Sequence, residues 1–460
     1  MIDVLCPFDQ SLIRSIAKQS QEDAARMLAT AKALYHNRNE WLLPHQRIAI
    51  LNRLAHLVEN EADDFAMLIA SEGGKPLPDA KVEVARAIDG IRLAVKELPH
   101  IMRGEEIPMG LTAATENRSA ATHYEPIGVV LALSAFNHPL NLIVHQVIPA
   151  VAVGCPVIVK PASATPLNCL RLCELLTQAG LPVGWCQPII CDNDTAEKLA
   201  SSSDIQFLTF IGSAKVGWML KSKLAPGVRC ALEHGGVAPV IIAEDANIEK
   251  ALPLLVKGGF YHAGQVCVSV QRIYAPRAMA EDLATKLGQA AEQLKVDDAR
   301  LHDTEVGPLI KPSEIDRVAN WVDNAVAAGA TLIAGGKKLS ATLYAPTVLL
   351  NPPKDAEVST KEIFGPVVCV YSYDDRLDAI ASANSLDFAF QASVFTQDIA
   401  IAKDTADRLD AAAVMINDHT AFRADWMPFA GRRASGYGIG GIGYTMHDMV
   451  QHKLVVHNFS

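Results

Sequence analysis

The 460-residue chain has no CxxC pair, no Cys/His cluster at metal-ligand spacing, no Lys/Arg block and no low-complexity linker. Its nine cysteines, an odd number spread along the chain, form neither a disulfide framework nor a zinc motif, so no metal is expected. Without a basic-aromatic stripe, and with a formal net charge of -10, nucleic acid and anionic membrane surfaces are set aside as partners. No apolar run reaches the ~20 residues of a membrane helix. The stretch from Pro149 to Val159 is broken by Gly154 and Pro156. The opening MIDVLCPFDQSLIRSI carries acidic and polar residues where a secretory signal needs a continuous apolar core. A cytoplasmic location is expected.

What is present is enough apolar material for two or three packed domains, at ~100–200 residues per domain. From Gln19 to Met102 apolar residues recur every three or four positions, a helical period interrupted at SEGGKPLPDAK. After Arg118 short β-rich runs alternate with helical ones. Strands are expected at Ile127–Leu133, Val157–Val159, Pro188–Cys191, Phe207–Ile211, Val228–Leu232 and Pro239–Ala243. Helices are expected at Leu167–Ala179, Thr195–Ser201 and Lys215–Lys223. This order predicts an α/β fold with a parallel sheet covered on both faces. A second α/β region follows from about Ala246 to Val414, packed rigidly on the first with a cleft between them. TAATENRSAATHYEP and the tail HKLVVHNFS alternate weakly. They are either strands that pair with another subunit or a hairpin folded back on its own chain.

Several segments carry chemistry. FIGSAKVG, Phe210 to Gly217, follows a strand and opens a helix, where free N–H groups receive an anion such as a pyrophosphate. VIVKPASATP places Lys160 at the carboxyl end of a strand, the ligand-binding edge of a parallel sheet. LEHGG ends another strand with Glu233, a candidate general base. GQVC then brings Cys267, which with Glu233 and with Asn137 of SAFNHPLNL makes a set of nucleophile, base and oxyanion donor. Each has a plain reading as turn, surface cation or packing residue. Cys6, Cys155, Cys169, Cys173, Cys186, Cys191, Cys230 and Cys369 read as small core hydrophobes.

Taken in order, AFNHP, VKPAS, FIGSAKVG, LEHGG, GQVC, KEIFGPV and MPFAGRRASGYG resemble the motifs of the NAD(P)-dependent aldehyde dehydrogenase superfamily, over nearly the whole chain. The resemblance is to the branch holding non-phosphorylating glyceraldehyde-3-phosphate, lactaldehyde and phosphonoacetaldehyde dehydrogenases. It implies a Rossmann-type cofactor domain at 1–107 and 126–233 and an α/β catalytic domain at 234–424. It further implies a return segment at 425–442, and an oligomerisation β-flap at 108–125 and 443–460 that makes a homodimer or homotetramer. It implies NAD or NADP as cofactor, an aldehyde as small-molecule substrate, and a thiohemiacetal and then a thioester on Cys267. Asn137 would hold the oxyanion and Glu233 would activate the hydrolytic water. Lys160, Ser163, Gly212, Ser213, Gly217, Glu362 and Phe364 would hold the cofactor. Ser163, where NAD-preferring relatives often place glutamate, leaves room for a 2'-phosphate.

Some positions depart from the family pattern. Gln146 stands where many relatives carry lysine, His234 where Leu, Met or Ser is commoner, and Ala430 replaces a glycine. Arg423, Arg86 and His138 are candidate substrate residues, because guanidinium groups at a tunnel mouth recognise carboxylate, phosphate or phosphonate. A small anionic aldehyde is the expected substrate. The competing reading of the arginines is an ion pair with Asp89 or Asp425. The competing functions are a CoA-acylating enzyme on the same scaffold and a catalytically silent dinucleotide-binding homologue.

Overall fold

The computed structural model describes residues 1–459. Before the helical segment, Ile2–Leu5 pairs antiparallel with Leu12–Ile16, a hairpin that the sequence reading does not foresee. Four helices follow: α1 (Gln21–His36), α2 (Pro44–Asn60), α3 (Ala62–Gly73) and α4 (Leu77–Ile101). Ser20 and Asp23 close a capping box on α1. Of the expected interruption SEGGKPLPDAK only Gly74, Lys75 and Pro76 lie outside α3 and α4, and Gly74, at φ +68°, ends α3 in the left-handed region that favours glycine. Along α4, Val84, Ala87, Ile88, Ile91, Ala94 and Leu98 form the buried stripe.

The first large sheet has six strands in the order Gly436–Tyr437, Arg229–Glu233, Phe207–Ile211, Val130–Leu133, Val157–Lys160, Cys186–Pro188. The five strands from Arg229–Glu233 onward are mutually parallel. The helices between them are α5 (Asn141–Val153), α6 (Leu167–Gln178), α7 (Asn193–Ala200) and α8 (Ala214–Ser222). Alternate strand residues feed two cores. Val130, Ala132, Val157 and Val159 join the core with α2 to α6, whereas Leu131, Leu133 and Ile158 face the one beneath α1, α7 and α8. Each fully buried Val, Ile or Leu contributes ~1.5–3 kcal/mol of transfer free energy. The expected strand at Pro188–Cys191 instead ends at Pro188. There Ile190 leaves the ladder to exchange hydrogen bonds with Gln19.

A second sheet of seven strands runs Thr331–Ala334, Thr347–Leu350, Val367–Tyr373, Val270–Pro276, Ala238–Ile242, Gln391–Phe395, Ala413–Ile416. Its pairings are parallel except at the Thr331–Ala334 edge. A third sheet joins the two weakly alternating segments. The tail strand Val450–Asn458 lies antiparallel on Arg118–Pro126 of its own chain, which in turn pairs with Glu106–Ile107. Ser460, the last residue of the expected oligomerisation segment, lies outside the described residues.

Candidate active site

In the first sheet the chain runs outward from the Val130–Leu133 strand and then returns to its other side, so the order reverses between Val130–Leu133 and Phe207–Ile211. A crevice opens at such a switch point, outside the carboxyl ends of the strands. The candidate residues leave the sheet there. Lys160 and Glu233 are the last residues of their strands, Gly212 follows directly on Ile211, and Asn137 lies four residues after Leu133. The second sheet contributes from the amino ends of its strands. Cys267 precedes Val270–Pro276, and Glu362 and Phe364 precede Val367–Tyr373.

These elements enclose one cavity of about 870 Å³. Lys160, Ser163, Gly212, Ser213, Glu362 and Phe364 line it together with Asn137, His138, Glu233, Cys267, Arg86 and Arg423. Gly217 does not line it. An added Cβ there would lie 1.8 Å from the His234 ring, so this glycine makes room for the imidazole. His234 Nδ1 is 3.0 Å from the Gly212 carbonyl, and the ring packs edge-on against Phe210 and Trp218. Gln146 is buried beside the sheet, outside the cavity lining. Its amide donates to Leu133 O at 3.2 Å, Thr209 O at 3.2 Å and Thr209 Oγ1 at 3.1 Å.

Cys267 is half-buried, whereas seven of the other eight cysteines are buried and Cys186 is half-buried. Val266, Val268 and Phe390 pack around it with Phe429 and Ala421. His262 is fully buried at φ +49°, and both its ring nitrogens lack a hydrogen-bond partner among the described residues. The Asn137 amide donates to the Gln265 carbonyl at 3.0 Å, two residues before Cys267. Burial, then Glu362 and Glu233, push the Cys267 thiol well up, opposed by Arg423. Burial raises Glu233 to about 7, again opposed by Arg423. Burial raises Glu362 to about 8 against the pull of the Gly236 N–H and Arg317. Two carboxyl groups beside the sulfur are thereby poised to exchange protons near neutral pH.

The two candidate arginines differ. Arg86 is bound in a fork by Asp425, with Nε to Oδ2 at 3.0 Å and Nη2 to Oδ1 at 2.8 Å. The same carboxylate accepts from Asn141 Nδ2 at 3.2 Å and lies 2.8 Å from His145 Nε2. Although burial pushes Asp425 up, His145 and Arg86 hold it well below the usual carboxylate range. Arg423 has no carboxylate partner within ion-pair distance among the described residues. It donates to Met427 O at 2.8 Å, and its guanidinium sits 4.2 Å from the Phe429 ring centroid. His138 Nε2 is 3.2 Å from the Tyr261 hydroxyl. The sequence reading misses Asn141, His145 and Tyr261. Asn141 and His145 lie one turn apart on one face of α5 and so reach the same carboxylate.

For a dinucleotide, the cavity supplies a cation at one strand end, a glycine turn before α8, and in Glu362 Oε1 a buried acceptor without a partner among the described residues. These features fit a nicotinamide cofactor.

The model of the aldehyde dehydrogenase family matches residues 1–455. The 3-sulfolactaldehyde dehydrogenase of Priestia aryabhattai is 36% identical over 459 residues, covering 99% of this chain and 95% of that protein. The lactaldehyde dehydrogenase of Methanocaldococcus jannaschii is 33% identical over 463 residues, covering 99% of this chain and 97% of that protein. Among solved structures, the NADP complex of NADP-dependent glyceraldehyde-3-phosphate dehydrogenase from Bacillus halodurans superposes with a TM-score of 0.95 at 30% identity, covering 100% of this chain and 96% of that one. The chain belongs to the aldehyde dehydrogenase family. It is an NAD(P)-dependent enzyme that oxidises aldehydes.

Proposed function

We propose that the enzyme converts a small anionic aldehyde to its acid through a covalent thioester on Cys267, released by hydrolysis. The observation that carries this reading is the meeting of Cys267, Asn137, Glu233 and the carboxylate-free Arg423 in one cavity. Cys267 Sγ would add to the aldehyde carbon, with its proton passing to Glu233, whose ionisation at about 7 suits it as acceptor near neutral pH. The resulting oxyanion would accept from the Asn137 amide and the Cys267 N–H, an interaction worth ~3 kcal/mol per donor. Bound nicotinamide supplies the hydride acceptor. Glu233, once it has released that proton to solvent, would take another from the water that attacks the thioester, and the departing thiolate would be reprotonated from it. The apolar neighbours Val266, Val268 and Phe429 restrict other water at the sulfur.

Arg423 supports an anionic group on the substrate, because its charge has no carboxylate partner and its guanidinium already lines the cavity. Arg86 takes part only through Asp425, and His138 contributes a polar edge held by Tyr261. Two of the similar enzymes are named for anionic aldehydes and one for neutral lactaldehyde, so the two substrate classes need separating. For the cofactor we assign Lys160 and Ser163 to the adenosine ribose, Gly212 and Ser213 to the pyrophosphate, and Glu362 with Phe364 to the nicotinamide ribose and ring. Ser163 offers no charge to repel a 2'-phosphate. We further assign 1–107 with 126–233 to the cofactor domain, 234–424 to the catalytic domain and 425–442 to the return segment. The flap, 108–125 with 443–460, is assigned to homodimer or tetramer formation, since Leu454 and Val456 stand exposed on its open-edged outer strand. The test is acid formation from anionic and neutral aldehydes of matched length, with NAD or NADP, with and without CoA. Equal kcat/KM for both aldehyde classes would remove Arg423 from substrate choice, and turnover that demanded CoA would remove hydrolysis by Glu233.

A further inference from the structure

Two buried glutamates on the α3–α4 hairpin reach out of their own helices to the helices that follow the reacting loops. The first turn of any helix leaves N–H groups without intrahelical partners. Neither α5 nor α6 supplies its own cap, for the flanking residues are Leu140 and Pro166. The acceptor comes from elsewhere. Glu83 Oε1 accepts from Leu140 N and Asn141 N, both at 3.0 Å, while Oε2 pairs with Lys75 Nζ. Glu72 accepts from Leu167 N at 2.8 Å, Asn168 N at 3.0 Å and Asn168 Nδ2 at 2.6 Å.

None of these groups touches solvent appreciably: Glu72 and Lys75 are 0% exposed and Glu83 1%. Buried charge of this kind is costly unless it is spent on strong partners, and removing one partner leaves the others unsatisfied. The hairpin turn also touches both loops at once. A Cβ added at Gly73 would lie 3.9 Å from Phe136 O and 3.7 Å from Thr165 Cγ2. Leu140 comes three residues after Asn137, whose amide is anchored on the Gln265 carbonyl beside Cys267. Leu167 comes four residues after Ser163.

We propose that Glu83 and Glu72 are positioning residues with separate clients: Glu83 sets the Asn137 amide through the first turn of α5, and Glu72 sets the Lys160–Ser163 loop through the first turn of α6. The proposal rests on the roles assigned above to Asn137 and to the Lys160–Ser163 loop. A displacement of an ångström or less at a reacting group costs ~10²-fold in rate, so a cap can act on chemistry it never touches.

Glu83→Gln and Glu72→Gln keep size and remove charge, and the readout is the split between kcat and cofactor Kd, the latter titrated with NAD and NADP by tryptophan fluorescence. Glu83→Gln is expected to lower kcat ~10–100-fold with cofactor Kd within about twofold. Glu72→Gln is expected to raise cofactor Kd ~10-fold with kcat at saturating cofactor within about threefold. Parallel losses in both parameters, or none in either, overturn the proposal. If either variant lacks a cooperative melt, Glu83→Asp and Asn168→Ala read the same split with less disturbance. Asn137→Ala is measured alongside, as is its double variant with Glu83→Gln. If Asn137→Ala keeps wild-type kcat, the oxyanion role fails irrespective of Glu83. If it loses kcat and Glu83→Gln adds its full separate loss in the double variant, only the positioning role of Glu83 fails.

Discussion

The two regions of the cavity are built in different ways. Most of the region assigned to the cofactor, Lys160, Ser163, Gly212 and Ser213, is assembled from strand ends and a glycine turn, placed by local backbone geometry at the carboxyl edge of one parallel sheet. The reaction region is assembled from side chains that distant segments bring together, and much of its charge is cancelled within the protein. Arg86 and Asp425, 339 residues apart, neutralise one another and also fix Asn141 and His145. Arg423, two residues before Asp425, has no carboxylate within ion-pair distance among the described residues and lines the cavity, where it acts on Glu233 through space. A cation at a site can therefore be assigned to a ligand only after its protein partners are counted.

The most severe way to break this comparison is at the sulfur. Cys267→Ser is expected to lower turnover at least ~10³-fold while NAD(P) binding by fluorescence stays within about twofold, so that the reaction region fails and the cofactor region does not. Turnover retained in that variant would remove the covalent route.

Glu233→Gln comes next. A first-turnover burst of reduced nicotinamide is expected to remain but slow, since the thiol loses its proton acceptor, while steady-state acid release falls further, by ~10²–10⁴-fold. Loss of the burst to the same extent would assign Glu233 to the first half-reaction alone. The carboxylate is the working form, so in the wild type kcat should fall on the acid side of about 7, and the Gln variant should lack this limb. A wild-type profile flat down to pH 5 would contradict the base assignment.

Arg423→Met is expected to raise KM for anionic aldehydes ~10–100-fold, from the ~1.5–3 kcal/mol of a hydrogen bond to a charged group, and to leave neutral aldehydes within about threefold. Because Arg423 holds Glu233 down, its loss should also move the acid limb to higher pH. A uniform change across both aldehyde classes would reduce Arg423 to a packing residue over Phe429.

The smallest effect on specificity is expected from Arg86→Met. It leaves Asp425 with only His145 and Asn141, which should cost about 3 kcal/mol of unfolding free energy in denaturant titration. The KM shift for anionic aldehydes should be smaller than that of Arg423→Met, and a larger one would make Arg86 the anion contact.

The parallel strands were legible because each is a short apolar run bounded by turns, and their carboxyl ends therefore marked Lys160, Gly212 and Glu233. Helix α5 was not, because nearly every residue from Ile143 to Val153 is buried and the 3.6-residue alternation disappears. The packing of Gly217 against the His234 ring was not legible, because a glycine that admits a ligand and one that admits a ring look identical in sequence. The sequence analysis does not single out Glu72 or Glu83, since nothing local shows that their carboxylates are buried.

By itself the sequence determined the family and the α/β layering, and it named Cys267, Glu233 and Asn137 as candidates for nucleophile, base and oxyanion donor, because ordered motifs and strand ends are properties of nearby residues. The tertiary structure alone decided which cavity arginine is locked in an ion pair and which is not, what Gly217 accommodates, and which glutamates cap the helices behind the site. These depend on pairings across tens to hundreds of residues, where Coulomb energy and burial are set by distance in space rather than along the chain.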